Sequence, residues 1–305
     1  MKKSKANDFD DYAKREKPNR RKKRSSKAAD LSDAFYVDAD KWQQVEQNIE
    51  QGFYARVVEV HKRYSFISPE SELGKIATRD VWLATVARKF LQAERSERNF
   101  VCVGDRVFCC PADENSPVVS EELPHCSIEL ALKRKNSISR VDPRLADRRH
   151  VLASNIDQLV IVASYLNPTV KWGLIDRYIV LAESEGIVPS IILNKKDLLD
   201  EVEKERFKEE CLNYADYYEK IGYRVLRLQA ENKDTIGAKS LNQLEEMFSD
   251  RISLISGHSG VGKSSIVNLL GPEITQDVET DGIFYKGRHT TTYASLIKLK
   301  KGGIL

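Results

Sequence analysis

The sequence has no long apolar run, and its 5 cysteines form no Cys-x-x-Cys pair. A membrane-spanning helix needs about 18 or more consecutive apolar residues, so we expect no contact with a membrane. The N-terminal segment is basic and has no apolar core, which excludes a signal peptide. An odd number of cysteines without a secretory signal is typical of reduced thiols, and it predicts a cytoplasmic protein.

The net charge is also small, +3, but this total hides two basic segments. Residues 1–30 hold 12 lysines and arginines against 5 acidic residues, and residues 133–149 hold 7 against 2. Large apolar residues are scarce in the first segment, so burial cannot offset its ordering entropy. We therefore expect a largely disordered basic arm over residues 1–48 and a basic linker over residues 133–150.

Between the two basic segments, several short runs of β-branched and aromatic residues predict strands. These runs begin at Phe53, Tyr64, Asp80 and Val101. Several short strands within about 70 residues indicate a small all-β domain over residues 49–132, either a barrel or a sandwich. Periodicity does not choose between the two.

From residue 151 onward, apolar runs alternate with helix-like segments. Asp157–Ser164 and Val188–Leu193 are near-continuous apolar runs, as expected of strands buried on both faces. Leu174–Ser184 has helical spacing, and Glu201–Ile221 has the character of one long charged helix. Strands that alternate with helices predict an α/β domain with a mostly parallel sheet over residues 151–305.

A glycine-rich loop fits the pattern G-x-x-x-x-G-K-[ST] at Gly257–Ser264, between a predicted strand and a predicted helix. Glycines let backbone N–H groups surround a phosphate, and the following helix adds its positive end. Lys263 would reach the β- and γ-phosphates, and the Ser264 hydroxyl would bind Mg²⁺. The alternative is a glycine-rich turn without a ligand. The candidate phosphate-binding residues are Gly257, His258, Ser259, Gly260, Val261, Gly262, Lys263, Ser264 and Ser265.

A second motif, N-K-x-D, directly follows a predicted buried strand, at the sheet edge where α/β proteins bind ligands. The Asp197 carboxylate can accept two hydrogen bonds from the N1–H and exocyclic amine of guanine, whereas adenine would leave it badly paired. Alone, such a polar tetrapeptide is common at strand ends, but together with the phosphate loop it predicts a GTP site. Ala230 follows the next predicted strand and would offer its N–H to the base oxygen. The candidate guanine-binding residues are Asn194, Lys195, Lys196, Asp197 and Ala230.

A threonine-rich loop, Gly287–Thr292, precedes a predicted strand at Tyr293–Leu299. A threonine in this loop can complete the Mg²⁺ coordination when a γ-phosphate is present, which makes the loop nucleotide-sensitive. His289 is the candidate for orienting the attacking water, and a solvated loop histidine is the alternative. We assign the switch to Thr290, Thr291 and Thr292, with Thr291 as the second Mg²⁺ ligand.

The guanine tetrapeptide precedes the phosphate loop, which reverses the order in ordinary GTPases. With Val103-Gly-Asp-Arg-Val, Asn155-Ile-Asp-Gln and Gly287-Arg-His-Thr-Thr-Thr, the chain resembles the circularly permuted ribosome small-subunit-dependent GTPases (the RsgA/YjeQ family). The resemblance covers about residues 50–305. It implies an OB-fold barrel, a circularly permuted P-loop GTPase domain, and GTP hydrolysis in late maturation of the 30S ribosomal subunit.

The same resemblance implies cofactors and partners. They are Mg²⁺, GTP or GDP, and the 30S subunit with its 16S rRNA, bound by a monomer. The family continues beyond a strand like Gly303-Ile-Leu305 with an Asp-x-Pro-Gly switch and a zinc-binding domain, neither of which stands in this sequence. We therefore expect a GTPase domain that is incomplete at its C-terminus, and turnover by these residues stays open.

Two other functions are open at this point. One is an rRNA-binding OB module whose GTPase part no longer hydrolyses GTP. In either case Tyr54, Tyr64, Phe66 and Trp82 can stack on bases, or they can belong to the core of the small β domain. The other is a permuted GTPase of the large subunit, which Gly260 disfavours because those relatives often carry Asn there.

Overall fold

The computed structural model of the protein describes residues 35–38, 52–61, 63–70, 81–87, 100–112, 123–142, 145–230, 236–271 and 295–305. The basic arm as far as residue 34 lies outside these ranges, and so does the threonine loop. The predictions for His289, Thr290, Thr291 and Thr292 therefore fall on residues that the structure does not describe.

The first part of the chain forms a closed β-barrel. Its sheet has the order β1-β6-β4-β3-β2-β5, and β5 also pairs with β6, so that five strands close on themselves and β1 extends along β6. Because the sheet closes on itself, this domain is a barrel and not a sandwich. The OB-like fold that the resemblance implied is confirmed. The strands are β1 (Tyr36–Val37), β2 (Phe53–Val60), β3 (Ser65–Pro69), β4 (Trp82–Val86), β5 (Arg106–Pro111) and β6 (His125–Leu132).

The barrel begins earlier than expected, within the predicted basic arm. Phe35 is fully buried in the barrel core, and Tyr36 pairs with Ala131 of β6. Burial of Phe35 and partial burial of Tyr36 offset the entropy of ordering this end of the arm. The prediction of disorder as far as residue 48 is therefore wrong for residues 35–38.

The segment predicted as a basic linker contains a β-hairpin. Its strands are β7 (Ser137–Asp142) and β8 (Leu145–Ser154), which pair antiparallel. At the open end of the hairpin, Ile138 lies opposite Ala153, and both side chains are buried against the core of the following domain. The hairpin therefore packs on the α/β domain and is not an irregular connector.

The second part of the chain is an α/β domain with a fully parallel sheet of order β11-β10-β9-β12. The predicted parallel sheet is confirmed, and β9 and β10 are its two inner strands. The elements are β9 (Gln158–Ser164), α1 (Trp172–Ser184), β10 (Val188–Asn194), α2 (Lys196–Asp200), α3 (Glu205–Lys220), β11 (Arg224–Arg227), α4 (Ala238–Phe248), β12 (Ser253–Ser256) and α5 (Lys263–Leu270).

Helices cover both faces of this sheet. Leu159 and Ile161 pack in a cluster with residues of α1 and α3, whereas Val160 and Val162 pack with residues of α4 and α5. Because successive side chains of a strand point to opposite faces, a strand covered on both sides needs apolar residues at every position. This explains the continuous apolar run of β9. None of the described helices is long and apolar enough to cross a membrane.

Two predicted elements differ from the structure. The charged helix expected over Glu201–Ile221 begins only at Glu205, after the separate short helix α2. The strand expected over Tyr293–Leu299 is also wrong over its described part. Residues 295–305 form a short hairpin with isolated bridges, because Gly302 and Gly303 at φ 87° and 86° reverse the chain.

Candidate nucleotide site

Three loops of the α/β domain meet at one edge of the parallel sheet. Asn194 is the last residue of β10, Ala230 follows β11, and the phosphate loop Gly257–Gly262 follows β12. The carboxyl ends of parallel strands lie on the same edge, and α/β proteins bind ligands there. The structure therefore brings together the two motifs that are far apart in the sequence.

The Asn194 side chain links all three loops. It is 1% exposed, its Nδ2 donates to Val261 O at 3.0 Å, and its Oδ1 accepts from the Ala230 N–H at 2.8 Å. A buried amide that uses both of its ends is stable only with its neighbours in place. Asn194 thus fixes the phosphate loop and the Ala230 loop relative to each other.

Lys195 joins the phosphate loop to the loop that follows β9. Its Nζ donates to Gly260 O at 2.8 Å and also to Asn167 O. The backbone of Lys195 is left-handed, at φ 59° and ψ 46°, which directs the chain sharply into α2. Lys195, a candidate guanine-binding residue, therefore lies beside the phosphate loop.

Asp197 lies in the first turn of α2 and is half-buried. No described residue donates a hydrogen bond to its carboxylate, so this acceptor is available to a ligand. By contrast, the neighbouring Lys196 is exposed, and its backbone N–H donates to Leu228 O at 3.0 Å. Of the two residues, only Asp197 offers an unpaired group that can distinguish one base from another.

The phosphate loop depends on glycine where it approaches Asn194. Gly262 has φ 98°, and a Cβ at this position would lie 2.2 Å from Asn194 Nδ2. Helix α5 begins directly after Gly262, so the backbone N–H groups of its first turn face the loop. Together these features give an anion-binding concavity of the kind that holds nucleotide phosphates.

Lys263 is held by the loop itself. Its Nζ donates to Gly257 O at 2.9 Å and to His258 O at 2.8 Å, and burial lowers the pKa of its ammonium group. The other loop residues differ in exposure: His258, Ser259, Gly260 and Ser264 are exposed, Ser265 is half-buried, and Val261 is buried. His258 Nδ1 lies 3.0 Å from Ser259 O.

The donor set fits a magnesium–nucleotide ligand better than a metal held by protein alone. The described residues contain no group of three or more His, Cys, Asp or Glu side chains that could hold a metal ion. Mg²⁺ usually takes one or two protein oxygens together with waters and substrate phosphates. The exposed Ser264 hydroxyl in the first turn of α5 is such an oxygen, and the other predicted ligand, Thr291, lies outside the described residues.

The sequence analysis missed the loop that follows β9. Ser164 Oγ donates to Pro168 O at 2.8 Å, and the same loop supplies the carbonyl of Asn167 that accepts from Lys195. A small cavity of about 20 Å³ lies between this loop, α1 and the phosphate loop, and its lining is mainly apolar. The only sequence signal was an Asn-Pro pair directly after a buried strand.

Comparison with known proteins agrees with this arrangement. The family model described as RsgA GTPase matches residues 131–305, which is more than half of the chain. The small ribosomal subunit biogenesis GTPase RsgA 2 of Oceanobacillus iheyensis is 35% identical over 209 residues, which are 68% of this chain and 62% of that protein. The RsgA of Chlorobaculum tepidum is 35% identical over 213 residues, 69% of this chain and 64% of that protein.

Two solved structures share the architecture. YjeQ from Thermotoga maritima has a TM-score of 0.56 at 28% identity and covers 83% of this chain and 73% of its own. YloQ, which is described as a circularly permuted GTPase, has a TM-score of 0.55 at 24% identity, and the match covers 84% of this chain and 70% of YloQ. At this identity the similarity is one of fold alone.

The chain spans a little under two thirds of the length of these curated relatives. Its barrel, its permuted motif order and the match to the family model agree, and the chain belongs to the RsgA GTPase family.

Proposed function

We propose that the chain binds GTP and GDP at the edge of its parallel sheet. The observation that carries this proposal is the Asn194 amide, which bonds to Val261 O and Ala230 N and so assembles the phosphate loop and both guanine loops. Asp197 then reads the N1–H and exocyclic amine of guanine, and the Ala230 N–H reads the base oxygen. Adenine is rejected because it would leave Asp197 unpaired.

The phosphates lie in the loop from Gly257 to Ser265, and Lys263 binds them after releasing its two loop carbonyls. Ser264 and Thr291 are the residues that would hold Mg²⁺, which supplies neutralisation of charge on the β- and γ-phosphates when bound. His289 orients the attacking water. Zinc is not part of this proposal.

We further propose that the chain hydrolyses GTP in the maturation of the small ribosomal subunit, in the cytoplasm, as a monomer. Relatives that are named small ribosomal subunit biogenesis GTPases support this proposal. No observation favours an rRNA-binding barrel with a non-hydrolysing remnant or a large-subunit factor. The proposed partner is therefore the 30S subunit with its 16S rRNA.

Some of the residues considered for RNA contact have partners inside the protein. Phe66 is 5% exposed, which favours the core alternative for this residue, and Trp82 packs on Phe53 with ring centroids 4.7 Å apart. In the basic segment at 133–149, Arg134 is in a buried ion pair with Asp105. Among the described residues of the barrel, the turn between β2 and β3 offers a surface suited to RNA.

At this turn, the rings of His61 and Tyr64 are stacked with centroids 4.8 Å apart and an interplanar angle of 22°. Both rings are half-buried, and Arg63 beside them is exposed. An aromatic surface next to a cation is what single-stranded RNA binds through stacking and phosphate contacts. We propose this turn as the barrel's part of the rRNA contact.

The guanine assignment is tested by replacing Asp197 with Asn. An amide donates where the carboxylate accepts, so we expect Asp197→Asn to lose affinity for GDP and to gain it for xanthosine diphosphate, shifting the preference by about 100-fold or more. Titration of fluorescent GDP and competition with xanthosine diphosphate measure this shift.

Asp200→Asn is the matched control, because Asp200 is an exposed residue at the end of the same helix. It should keep the preference of the wild type, whereas Lys263→Ala should lose both nucleotides. An unchanged preference for GDP in Asp197→Asn would contradict the guanine assignment.

A further inference from the structure

Strand β2 of the barrel changes partners halfway along its length. On one edge it pairs with β5 only as far as Arg56. On the other edge it continues to pair with β3 as far as Val60. From Val58 onward, one edge of β2 is therefore not covered by any described strand of the barrel.

A β-bulge turns this uncovered edge toward the α/β domain. The register with β3 shifts between Val57 and Glu59, so that Val58 is the extra residue. The Val58 carbonyl accepts a hydrogen bond from the Leu296 N–H at 2.9 Å, and Glu59 lies opposite Ser295 in an antiparallel bridge. Bulges redirect a strand in this way, and an exposed strand edge is stabilised by a new partner. We call the pairing of Val58–Glu59 with Ser295–Leu296 the β2 contact.

The side chains around the β2 contact are packed. Leu296 is 4% exposed and lies in a cluster with Val58 and Val103, which are also buried. Ile252 and Ile304 of the α/β domain are half-buried against the same cluster. The β2 contact therefore includes an apolar core shared by the two domains.

The β2 contact continues toward the phosphate loop through the short hairpin of residues 295–305. In this hairpin the Ile304 N–H donates to Arg251 O at 2.8 Å, and Ile304 O accepts from the Ser253 N–H at 2.8 Å. Ser253 begins β12, and β12 leads directly into the phosphate loop at Gly257. Packed and hydrogen-bonded residues therefore run without a gap from the barrel to the phosphate loop.

The β2 contact also lies close to the threonine loop in the sequence, since Ser295 follows Thr292 by three residues. We propose that the β2 contact couples the barrel to the nucleotide site, so that the hydrogen bond from Leu296 to Val58 is stronger in one nucleotide state than in the other. This inference rests on the proposed nucleotide binding and adds its regulation. Because coupling between two sites is reciprocal, a ligand on the barrel then shifts the preference between GDP and GTP by the same factor.

Hydrogen exchange of the 305-residue chain tests this inference. The amides of residues 57–60 and 295–297 are followed without nucleotide, with GDP and Mg²⁺, and with a non-hydrolysable GTP analogue and Mg²⁺. We expect exchange at both segments to differ by about tenfold between the two nucleotides, whereas the amides of β6 stay unchanged. Fluorescent-nucleotide titration of the same sample measures binding.

Leu296→Ala should keep nucleotide binding and lose the difference in exchange at residues 57–60. Leu130→Ala is the matched control, because it makes the same change in the barrel core outside the cluster of Leu296. Leu130→Ala should keep the difference in exchange at residues 57–60 between the two nucleotides. If Leu296→Ala does not fold, the milder Leu296→Val replaces it and should reduce the difference at least by half.

The outcomes separate the two proposals. Nucleotide binding without any nucleotide-dependent exchange at residues 57–60 overturns the coupling and leaves the nucleotide site intact. An equal loss in Leu296→Ala and Leu130→Ala also overturns it, because the effect is then one of general stability. Failure of the wild type to bind either nucleotide overturns the proposed function, and the coupling with it.

Discussion

Two buried polar side chains, Asn194 and Glu59, differ in how completely they are paired. The Asn194 amide donates to Val261 and accepts from Ala230. Glu59 is 6% exposed, and although its Oε1 lies 2.9 Å from His61 Nε2, its buried Oε2 has no hydrogen-bond partner among the described residues. A buried carboxylate oxygen without a hydrogen bond costs free energy because water no longer solvates it. Glu59 is therefore a weak point of the barrel when it is ionised.

This difference predicts a pH dependence of stability. Burial raises the pKa of Glu59 from its ordinary value of 4.5 to about 7, so that the unfolded chain loses its proton at a lower pH than the folded chain. The contribution of Glu59 is present below the unfolded pKa and is lost as the pH rises through the folded pKa. We expect Glu59→Gln to be more stable than the wild type by about 2 kcal/mol at about pH 8 and equally stable near pH 4.

Urea denaturation of both proteins at the two pH values measures the effect of Glu59. Glu209→Gln is the control, because Glu209 is exposed on α3 and its replacement should not change stability at either pH. A wild type that is as stable as Glu59→Gln at about pH 8 would show that the ionised carboxylate is solvated or paired.

Among the strands and helices, those buried on both faces were the most predictable. The apolar runs of β9 and β10 predicted both strands closely, since nearly all their positions are buried and only Val188, at the start of β10, is exposed. Strand β6 was missed, although buried and half-buried residues alternate along its first half, a pattern with period two that the sequence carries. The hairpin of β7 and β8 was missed because its basic residues resemble those of a linker.

At the start of α5, Gly262 leaves no room for a side chain, so even the methyl group of alanine should disturb the nucleotide site. Gly262→Ala would place a Cβ 2.2 Å from Asn194 Nδ2 and would strain a backbone at φ 98°. Because Asn194 holds three loops together, we expect nucleotide affinity to fall at least about tenfold and stability to fall by about 1–3 kcal/mol. Fluorescent-nucleotide titration and thermal denaturation measure the two effects.

Gly173→Ala is the control for Gly262→Ala, since Gly173 lies within α1 and a Cβ there meets nothing within 4 Å. It should keep nucleotide affinity and raise stability by about 0.5–1 kcal/mol, because alanine favours the helix. Nucleotide affinity in Gly262→Ala equal to that of Gly173→Ala would contradict the role given to the close contact with Asn194.

For the molecule as a whole, a buried charge network joins the barrel to the α/β domain. Asp105 is fully buried, Arg134 donates to both of its oxygens at 2.7 and 2.9 Å, and Ser154 Oγ donates to it at 2.6 Å. Close by, Asn155 Nδ2 donates to Gly104 O at 3.1 Å. Gly104 and Asp105 belong to the Val103-Gly-Asp-Arg-Val motif and Asn155 begins the Asn155-Ile-Asp-Gln motif, so both motifs lie at the joint between the domains.

This joint predicts a large difference between two neighbouring basic residues. Arg134→Met leaves the Asp105 carboxylate buried without its cation, and we expect it to destabilise the protein by about 3 kcal/mol. Lys133→Met removes only an exposed pair with Asp38 and should change stability little. Urea denaturation followed by tryptophan fluorescence, with Trp82 in the barrel and Trp172 in the α/β domain, compares the two. A similar midpoint for both variants would contradict a structural role for the joint.

The sequence by itself determined the motifs, the parallel sheet and the order of the two domains. These features are local, because a phosphate loop, a guanine tetrapeptide and an apolar run each occupy neighbouring residues. Only the tertiary structure decided three long-range contacts. Asn194 bonds to Val261 and Ala230. Arg134 forms an ion pair with Asp105 and does not bind a phosphate, and Val58 pairs with Leu296. Each of these contacts joins residues that are far apart along the chain, so the distance between them is set by how the whole chain folds and not by any local sequence pattern.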